Sequence, residues 1–395
     1  MKRHYSLCLI AGWISACLMF LSCGNAPSLT LTASSDTLLS GCVITVRAQA
    51  QDSGASDDTR KIDWYIDGVK VPDATQSDLE LTREVSEPTT IIVSAKPAGR
   101  IGAARASITI KARPVPFKNP LASDYEFTES PVIARGDNQY LDPGAIAFRE
   151  GKFHASFNAI GKYPEIHFGH AESANGVEWT KTASAREETL TLDLVAKAIG
   201  VKPSNIHSGS LLFDKGEWTL YFTAANAGDF FYGNVFRATS ANPKGPWEID
   251  GTPVLGAAGN DWFKGDQGLP QIFKFSDSEY RLYYATRKGA VGLARSSNGR
   301  KFVKDDKPIA NVLHPAIAKA AWGWVMVSND TVYLSLDGIA WQRYKNRLFS
   351  TADLDARKIK NLMITCLCVQ NGRFYYFLEG STSTDSNVYL ISWAE

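Results

Sequence analysis

The sequence predicts an all-β protein: an immunoglobulin-like β-sandwich followed by a five-bladed β-propeller. Three observations carry this reading. Short runs of alternating apolar and polar residues recur along the chain, bounded by Gly, Asn, Asp and Pro, and only Leu190 to Ile199 has a helical period. Aromatic residues make up 11% of the chain and 31 glycines punctuate it, as strands joined by tight turns require. From Tyr140 onward one strand–turn–strand phrase returns at intervals of about 50 to 65 residues, the mark of radial repetition.

The 395 residues give room for two or three domains, each burying a core of its own. Lys and Arg number 42 against 41 Asp and Glu, with both signs interspersed, so the chain lacks the basic footprint of a nucleic-acid binder.

Residues 1–22 read as a targeting segment and stand outside the fold. Lys2-Arg3-His4 supply positive charge, Leu7 to Leu21 is apolar apart from Ser15, and the run ends Phe20-Leu21-Ser22-Cys23-Gly24. That ending resembles a bacterial lipoprotein signal, which implies lipidation of Cys23 as the mature N-terminus. Phe20 departs from the usual Leu three residues before the Cys. The competing reading is an uncleaved anchor, since the apolar run is nearly long enough to span a bilayer. On either reading the expectation is a membrane-tethered protein of the bacterial cell envelope, facing the periplasm or the exterior. Acyl chains contribute about 0.8 kcal/mol per buried CH₂, so two or three hold firmly.

Residues 23–28 form a tether, and residues 29–113 carry the first domain. Leu29 to Ala33 and Val43 to Ala50 alternate as strands, and Ile62 to Val71 is a hairpin turning on Asp67-Gly68. Leu79 to Thr82, Thr90 to Ala95 and Ala106 to Ala112 bring the count to about seven strands, the immunoglobulin-like number, with Trp64 placed as a core Trp. Cys42 has no evident disulfide partner. Spacer and binding roles both remain open for this domain. Residues 114–124 are a proline-rich, extended linker.

The propeller spans residues 125–395. Its blades open near Tyr140, Ile206, Asp266, His314 and Ile364, and four close on related phrases, among them Ser173 to Trp179, Ser240 to Trp247, Ser297 to Phe302 and Ser335 to Trp341. Ser, then Asn or Asp, then Gly makes a tight turn that an aromatic residue packs down, so these phrases are structural. The fifth blade runs out after Trp393, and the segment around Pro131-Val132-Ile133 is expected to supply its last strand and leave no open edge. Cys366 and Cys368, two apart on a strand, read as small core residues with poor disulfide geometry.

In a propeller the first residues of the innermost strands converge on one funnel. Those starts carry Asp142, His207, Asp266 with Gln267, and His314, with Thr365 from the last blade. Trp262 and Tyr163 lie in nearby loops, where aromatic faces suit the C–H surfaces of sugars or simply pack the loops. His167 and His170 are three apart on a strand, point to opposite faces and make a poor metal pair. No phosphate loop, His-Glu-x-x-His or Gly-x-Ser-x-Gly is present.

Asp142-Pro143-Gly144 before an apolar strand, the turn at Gly151, the Ser-x-Asn-Gly-x-x-Trp closure and the Gly-Pro-Trp at 245–247 resemble five-bladed glycoside hydrolases of the arabinanase, invertase and levansucrase type. The resemblance covers about residues 125–395. It implies carbohydrate as the partner, a blade-one Asp as base or nucleophile, a blade-two Asp as orienter and a blade-three Glu as acid. Asp142 takes the first place. The other two fall on Gly209 and Gly268, so two of three carboxyl groups are missing. Glycoside hydrolysis needs two, about 5 to 5.5 Å apart for retention or 6.5 to 9.5 Å for inversion. Asp266 is the substitute acid, with Glu379 and Glu165 as further candidates, and His207, Gln267, His314, Trp262 and Tyr163 the substrate-binding set. Some relatives carry an axial ion on a His, but His207 and His314 without clustered carboxylates are expected to be hydrogen-bonded instead. No metal and no cofactor are expected. The alternative to hydrolysis is a non-catalytic glycan-binding or adhesive lipoprotein that has lost the acid.

Overall fold

A computed structural model describes residues 29–50, 61–99, 105–118, 120, 125–135, 140–160, 166–183, 190–256, 267–381 and 386–395. Its contacts divide into two compact units. The first holds residues up to Pro116 together with Gln342–Lys345; the second holds Phe117–Trp341 and Asn346–Glu395. Nearly all regular structure is strand, with two short helices among the described residues. No helix among them is long and apolar enough to cross a membrane.

The first unit pairs its strands in two groups. Cys42–Ala50 lies between Leu29–Ala33 and Asp78–Thr82, all antiparallel. Ala106–Arg113 pairs parallel with Thr37–Leu39 and antiparallel with Thr89–Pro97, which pairs with Ile62–Ile66. Both central residues of the Asp67-Gly68 turn have positive φ (50° and 83°), as a two-residue hairpin demands. Trp64 is fully buried, and its indole N–H donates to the Gln76 carbonyl at 2.8 Å. Cys42 is buried and free, and burial pushes its thiol far above the usual range.

The second unit is a series of antiparallel meanders. The first comprises Tyr140–Arg149, Lys152–Ile160, Ile166–Ser173 and Thr180–Ala183. The second comprises Ile206–Asp214, Glu217–Ala225, Tyr232–Ser240 and Glu248–Ile249. Gln267–Ser276, Glu279–Thr286, Val291–Ser296 and Val303–Lys304 make the third. Ala316–Lys319, Trp324–Ser328 and Thr331–Ser335 follow as the fourth. The fifth runs Asn361–Gln370, Arg373–Ser381 and Ser386–Ala394, and its outer partner is Glu126–Phe127, from the start of the unit. Ile133 also bridges to Val388, so the segment expected to close the last meander does so, with its strand five residues earlier than Pro131-Val132-Ile133.

Alternation explains the core. Each strand sends every second side chain to the neighbouring meander, and the apolar clusters lie between consecutive meanders. Phe168, Leu220, Phe222 and Phe236 fill the space between first and second; Phe153, Phe157, Phe377 and Leu390 fill that between fifth and first. Tyr221, Leu282 and Tyr284 join second to third, and Tyr283, Trp324 and Met326 join third to fourth. Each fully buried side chain of this size contributes about 1.5–3 kcal/mol. Cys366 and Cys368 pack half-buried against the cluster between fifth and first. Burial pushes the Cys366 thiol up to about 12 and the Cys368 thiol well above its usual value.

The helix expected at Leu190 to Ile199 runs Leu192–Ile199, capped by the Thr191 hydroxyl and ended by Gly200 at φ 77°. A second, Thr351–Ala356, escaped the periodicity because it is shorter than two turns. Its signal is local: the Ser350 and Asp353 side chains form a reciprocal cap.

Candidate functional site

The first strands of the meanders contact one another in sequence, first with second, second with third, and fifth with both fourth and first. Gln271 links third to fourth, accepting from the Ile317 amide at 2.6 Å and donating to the Pro315 carbonyl. Four of these strands break register near their starts, at Asp142/Ala145, Ser208/Ser210, Gly268/Gln271 and Leu362/Thr365. Such bulges bend a strand and re-aim its side chains. Positive φ at Gly144 (55°), Leu269 (52°) and His314 (42°) belongs to the same level of the fold. For Leu269 and His314 this is a strained backbone of the kind that concentrates at functional sites.

In the first strand, Asp142-Pro143-Gly144 makes the bulge by itself. Proline gives no amide hydrogen, glycine accepts the positive φ, and the Asp142 Oδ1 atom accepts the Gly144 N–H at 2.9 Å. Oδ1 also accepts from Asn158 Nδ2 at 2.8 Å, while Oδ2 lies 3.0 Å from His207 Nε2. Asn158 Nδ2 is in turn 2.9 Å from His207 Nδ1. Asn158 Nδ2 lies 3.1 Å from His207 Nε2 as well, so the amide faces the edge of the ring, and Asp142 Oδ2 has no hydrogen-bond partner among the described residues. Asp142 is 0% exposed and His207 1%, so the three residues form a buried polar cluster.

His314 stands beside it. Its Nδ1–H donates to the Met363 carbonyl at 2.8 Å, and its Nε2 faces the Tyr232 hydroxyl at 3.3 Å. Burial lowers its pKa below the usual value; the Met363 carbonyl opposes this, and the His207 ring adds to it. The Phe231 ring sits between the two imidazoles, 5.3 Å from His207 and 5.7 Å from His314. Gln267 is fully buried, donating to the Leu255 carbonyl and accepting from Lys304 Nζ at 3.2 Å. Burial pushes Lys304 down to about 8. Thr365 reaches the His314 carbonyl at 3.5 Å.

The two places without carboxyl groups have no room for any side chain. A Cβ on Gly268 would lie 2.1 Å from the Phe231 carbonyl oxygen, and one on Gly209 would lie 2.4 Å from that of Pro270. Between the strand starts, a cavity lined by Gly144, Gly209, Leu269, Gln271, His314 and Thr365 has a volume of about 20 Å³. That suits one water molecule, far below the several hundred Å³ typical of ligand clefts. A cavity of about 240 Å³ lies further along the same strands, lined mainly by aliphatic residues such as Ile146, Leu211, Ile272 and Leu367.

Of the residues singled out in the sequence, Asp142, His207 and His314 come together, with Gln267 and Thr365 in the same layer of strand starts. Asp266, Trp262, Tyr163, Glu165 and Cys23 lie outside the described residues. Glu379 is fully buried, and the Ser386 hydroxyl is 2.6 Å from its Oε1. It shares a strand face with Phe377 in the cluster that includes Leu141, whereas Asp142, one residue on, points the other way to His207. Asn158, Phe231 and Gln271 were not anticipated. Asn158 was open to discovery, since it pairs directly across from Asp142 in the hairpin.

No protein-family model and no curated protein matches this chain. Solved structures do resemble it. One is Zg3597, a family 117 glycoside hydrolase of the marine bacterium Zobellia galactanivorans, at 16% identity and a TM-score of 0.50, covering 70% of this chain and 91% of that one. Another belongs to the GH130 family of mannoside phosphorylases, described as containing glycoside hydrolases that target β-1,2 mannosidic linkages in Candida mannan. It matches at 13% identity and a TM-score of 0.50, over 69% of this chain and 94% of its own. The likeness is one of fold: the chain shares the all-β propeller-type fold of these structures.

Proposed function

We propose that this chain is a bacterial envelope lipoprotein that binds carbohydrate without hydrolysing it. In this reading Cys23 carries the lipid, residues 29–113 form an immunoglobulin-like spacer, and the five meanders are the blades of a propeller spanning residues 125–395. The fold likeness supports a carbohydrate partner. The observation that carries the non-hydrolytic part is the state of Asp142: no exposed surface, Oδ1 held by Gly144 and Asn158, and Oδ2 packed 3.0 Å from His207. A base or nucleophile must meet its substrate within about 3 Å, and Asp142 presents no surface to one. Gly209 and Gly268 supply no second carboxyl group, and backbone crowding explains why neither place holds one.

Hydrolysis remains the competing reading through Asp266, whose acid role the sequence suggests. The separating experiment uses the detergent-solubilised full chain on a glycan array, followed by product analysis on every glycan retained. The expected result is retention with no release of sugar, unchanged in kind by Asp142→Asn. Sugar release that Asp266→Asn abolishes would restore the hydrolase, and failure to retain any glycan would leave the adhesive reading. Palmitate labelling that Cys23→Ser abolishes is the expected sign of the anchor.

A further inference from the structure

A second cluster of buried polar groups lies on the first meander, at the opposite end of the strand Lys152–Ile160 from Asn158. His154 stands on that strand, directly across from Glu172, and His170 is two residues before Glu172 on the next strand. Register and alternation put all three on one face. His154 is 8% and His170 2% exposed, with their rings 5.6 Å apart and 25° from parallel. Trp218 of the second meander walls the cluster, its ring edge-on to His154 at 5.0 Å.

Two donor atoms there have no hydrogen-bond partner among the described residues: His154 Nδ1 and His170 Nε2. A buried polar atom left so costs about 1–3 kcal/mol, and two facing one another ask for a common partner. Glu172 Oε1 lies 3.9 Å from His154 Nδ1, and one donor atom from each of the three residues falls within 4.8 Å of the others. The remaining atoms are held in a useful way. His170 Nδ1 is 2.6 Å from the Thr182 hydroxyl, and Lys152 Nζ holds Glu172 Oε2 at 2.9 Å. A ring whose Nδ1–H donates to an oxygen presents its Nε2 lone pair, the arrangement found behind metal-bound histidines.

We propose that His154, His170 and Glu172 form a binding site for a divalent transition-metal ion of the zinc type, independent of the Asp142 network. Two imidazoles and one carboxylate are the donor set of zinc, cobalt or nickel; calcium and magnesium prefer an all-oxygen shell. Three protein ligands leave a fourth position for water or for a group brought by a partner. Tetrahedral ligation at about 2.0–2.1 Å sets the donors some 3.3 Å apart, so closing on an ion takes movements of about 1 Å, within the reach of side-chain rotation. The charges facing the cluster are Glu172 and Glu150 against Lys152 and Lys244.

The test uses the full chain, stripped with chelator and titrated with cobalt chloride, then zinc chloride. The expected result is one cobalt per chain with the visible absorption of a tetrahedral site, displaced by one zinc. His154→Gln and His170→Gln should each abolish the spectrum. Thr182→Val should weaken zinc binding about 10–100-fold, as loss of an orienting partner does. Glu172→Gln, at the half-exposed rim, keeps the test valid if a buried histidine variant fails to fold; it should weaken binding at least about tenfold. No stoichiometric cobalt or zinc at 100 μM free metal, roughly the weak limit of specific sites, would overturn the proposal. So would binding unchanged in Glu172→Gln and both histidine variants, which would place the ion elsewhere, and so would a water molecule alone bridging the two nitrogens in a zinc-soaked crystal.

Discussion

Replacing Gly268 by alanine puts a methyl group 2.1 Å from the Phe231 carbonyl oxygen, and the main chain on both sides must yield. Overpacking of this kind costs about 1–3 kcal/mol, so Gly268→Ala should lower the urea midpoint clearly. Gly256→Ala is the control: its nearest neighbour is 3.9 Å away, and it should unfold like the parent. The missing carboxyl groups were legible in the sequence, since both places read as glycine. Their cause was not, because Phe231, just before the strand Tyr232–Ser240, and Pro270 come from elsewhere in the fold. Asp142 was legible through its Asp-Pro-Gly phrase; its burial was not, because that depends on Asn158 and His207 arriving in register. His314 gives a pH test. Its imidazole is held below the usual value, chiefly by burial, so on acidification the unfolded chain takes up a proton near pH 6.5 that the folded chain still refuses. More protons bound in the unfolded state means stability falls as pH drops through that range, with no effect above about pH 7. Denaturation midpoints measured from pH 7.5 to 5 should decline, and His314→Gln should flatten part of the slope.

The closing turns show one phrase solved alike three times. Ser173, Ser296 and Ser335 each accept from the glycine amide three residues on, at 2.8, 3.0 and 2.9 Å. The residue between, Asn175, Asn298 or Asp337, accepts from amides beyond the turn. Asp337 is accordingly held below the usual carboxylate range, the amides of Ala340 and Ile339 outweighing its burial together with the Ser335 hydroxyl. Ser296→Ala leaves the buried Gly299 amide without its acceptor and should cost about 1–2 kcal/mol, read as a lower urea midpoint at unchanged slope. These turns were legible because every bond in them spans three residues or fewer, although the third opens on Ser296, one residue before the Ser297 that the sequence suggests. The bulges at the strand starts were not, since register is a property of two strands and only one is read at a time.

The recurrence of meanders was legible from repetition, and so was the need for an outer strand from upstream, because an open edge is a liability that closure removes. Its position slipped because Pro131 and its neighbours read as extended while Glu126–Phe127 is two residues long. Arg357 secures it: the guanidinium donates to the Phe127 and Thr128 carbonyls and covers the Phe127 ring at 3.9 Å. Arg357→Ala should cost about 2–3 kcal/mol through these charge-assisted bonds and the lost packing, and should speed unfolding. Stopped-flow unfolding rates check it, with Arg347→Ala, a 74% exposed side chain, as the neutral comparison. The pairing of Phe127 with Ile391 also sets a timetable. During synthesis the early residues wait for a partner that emerges only once Ile391 and Ser392 have been made. A nascent chain of this design carries one seam unsealed until the strand Ser386–Ala394 arrives, and loss of that strand would leave the product permanently unzipped.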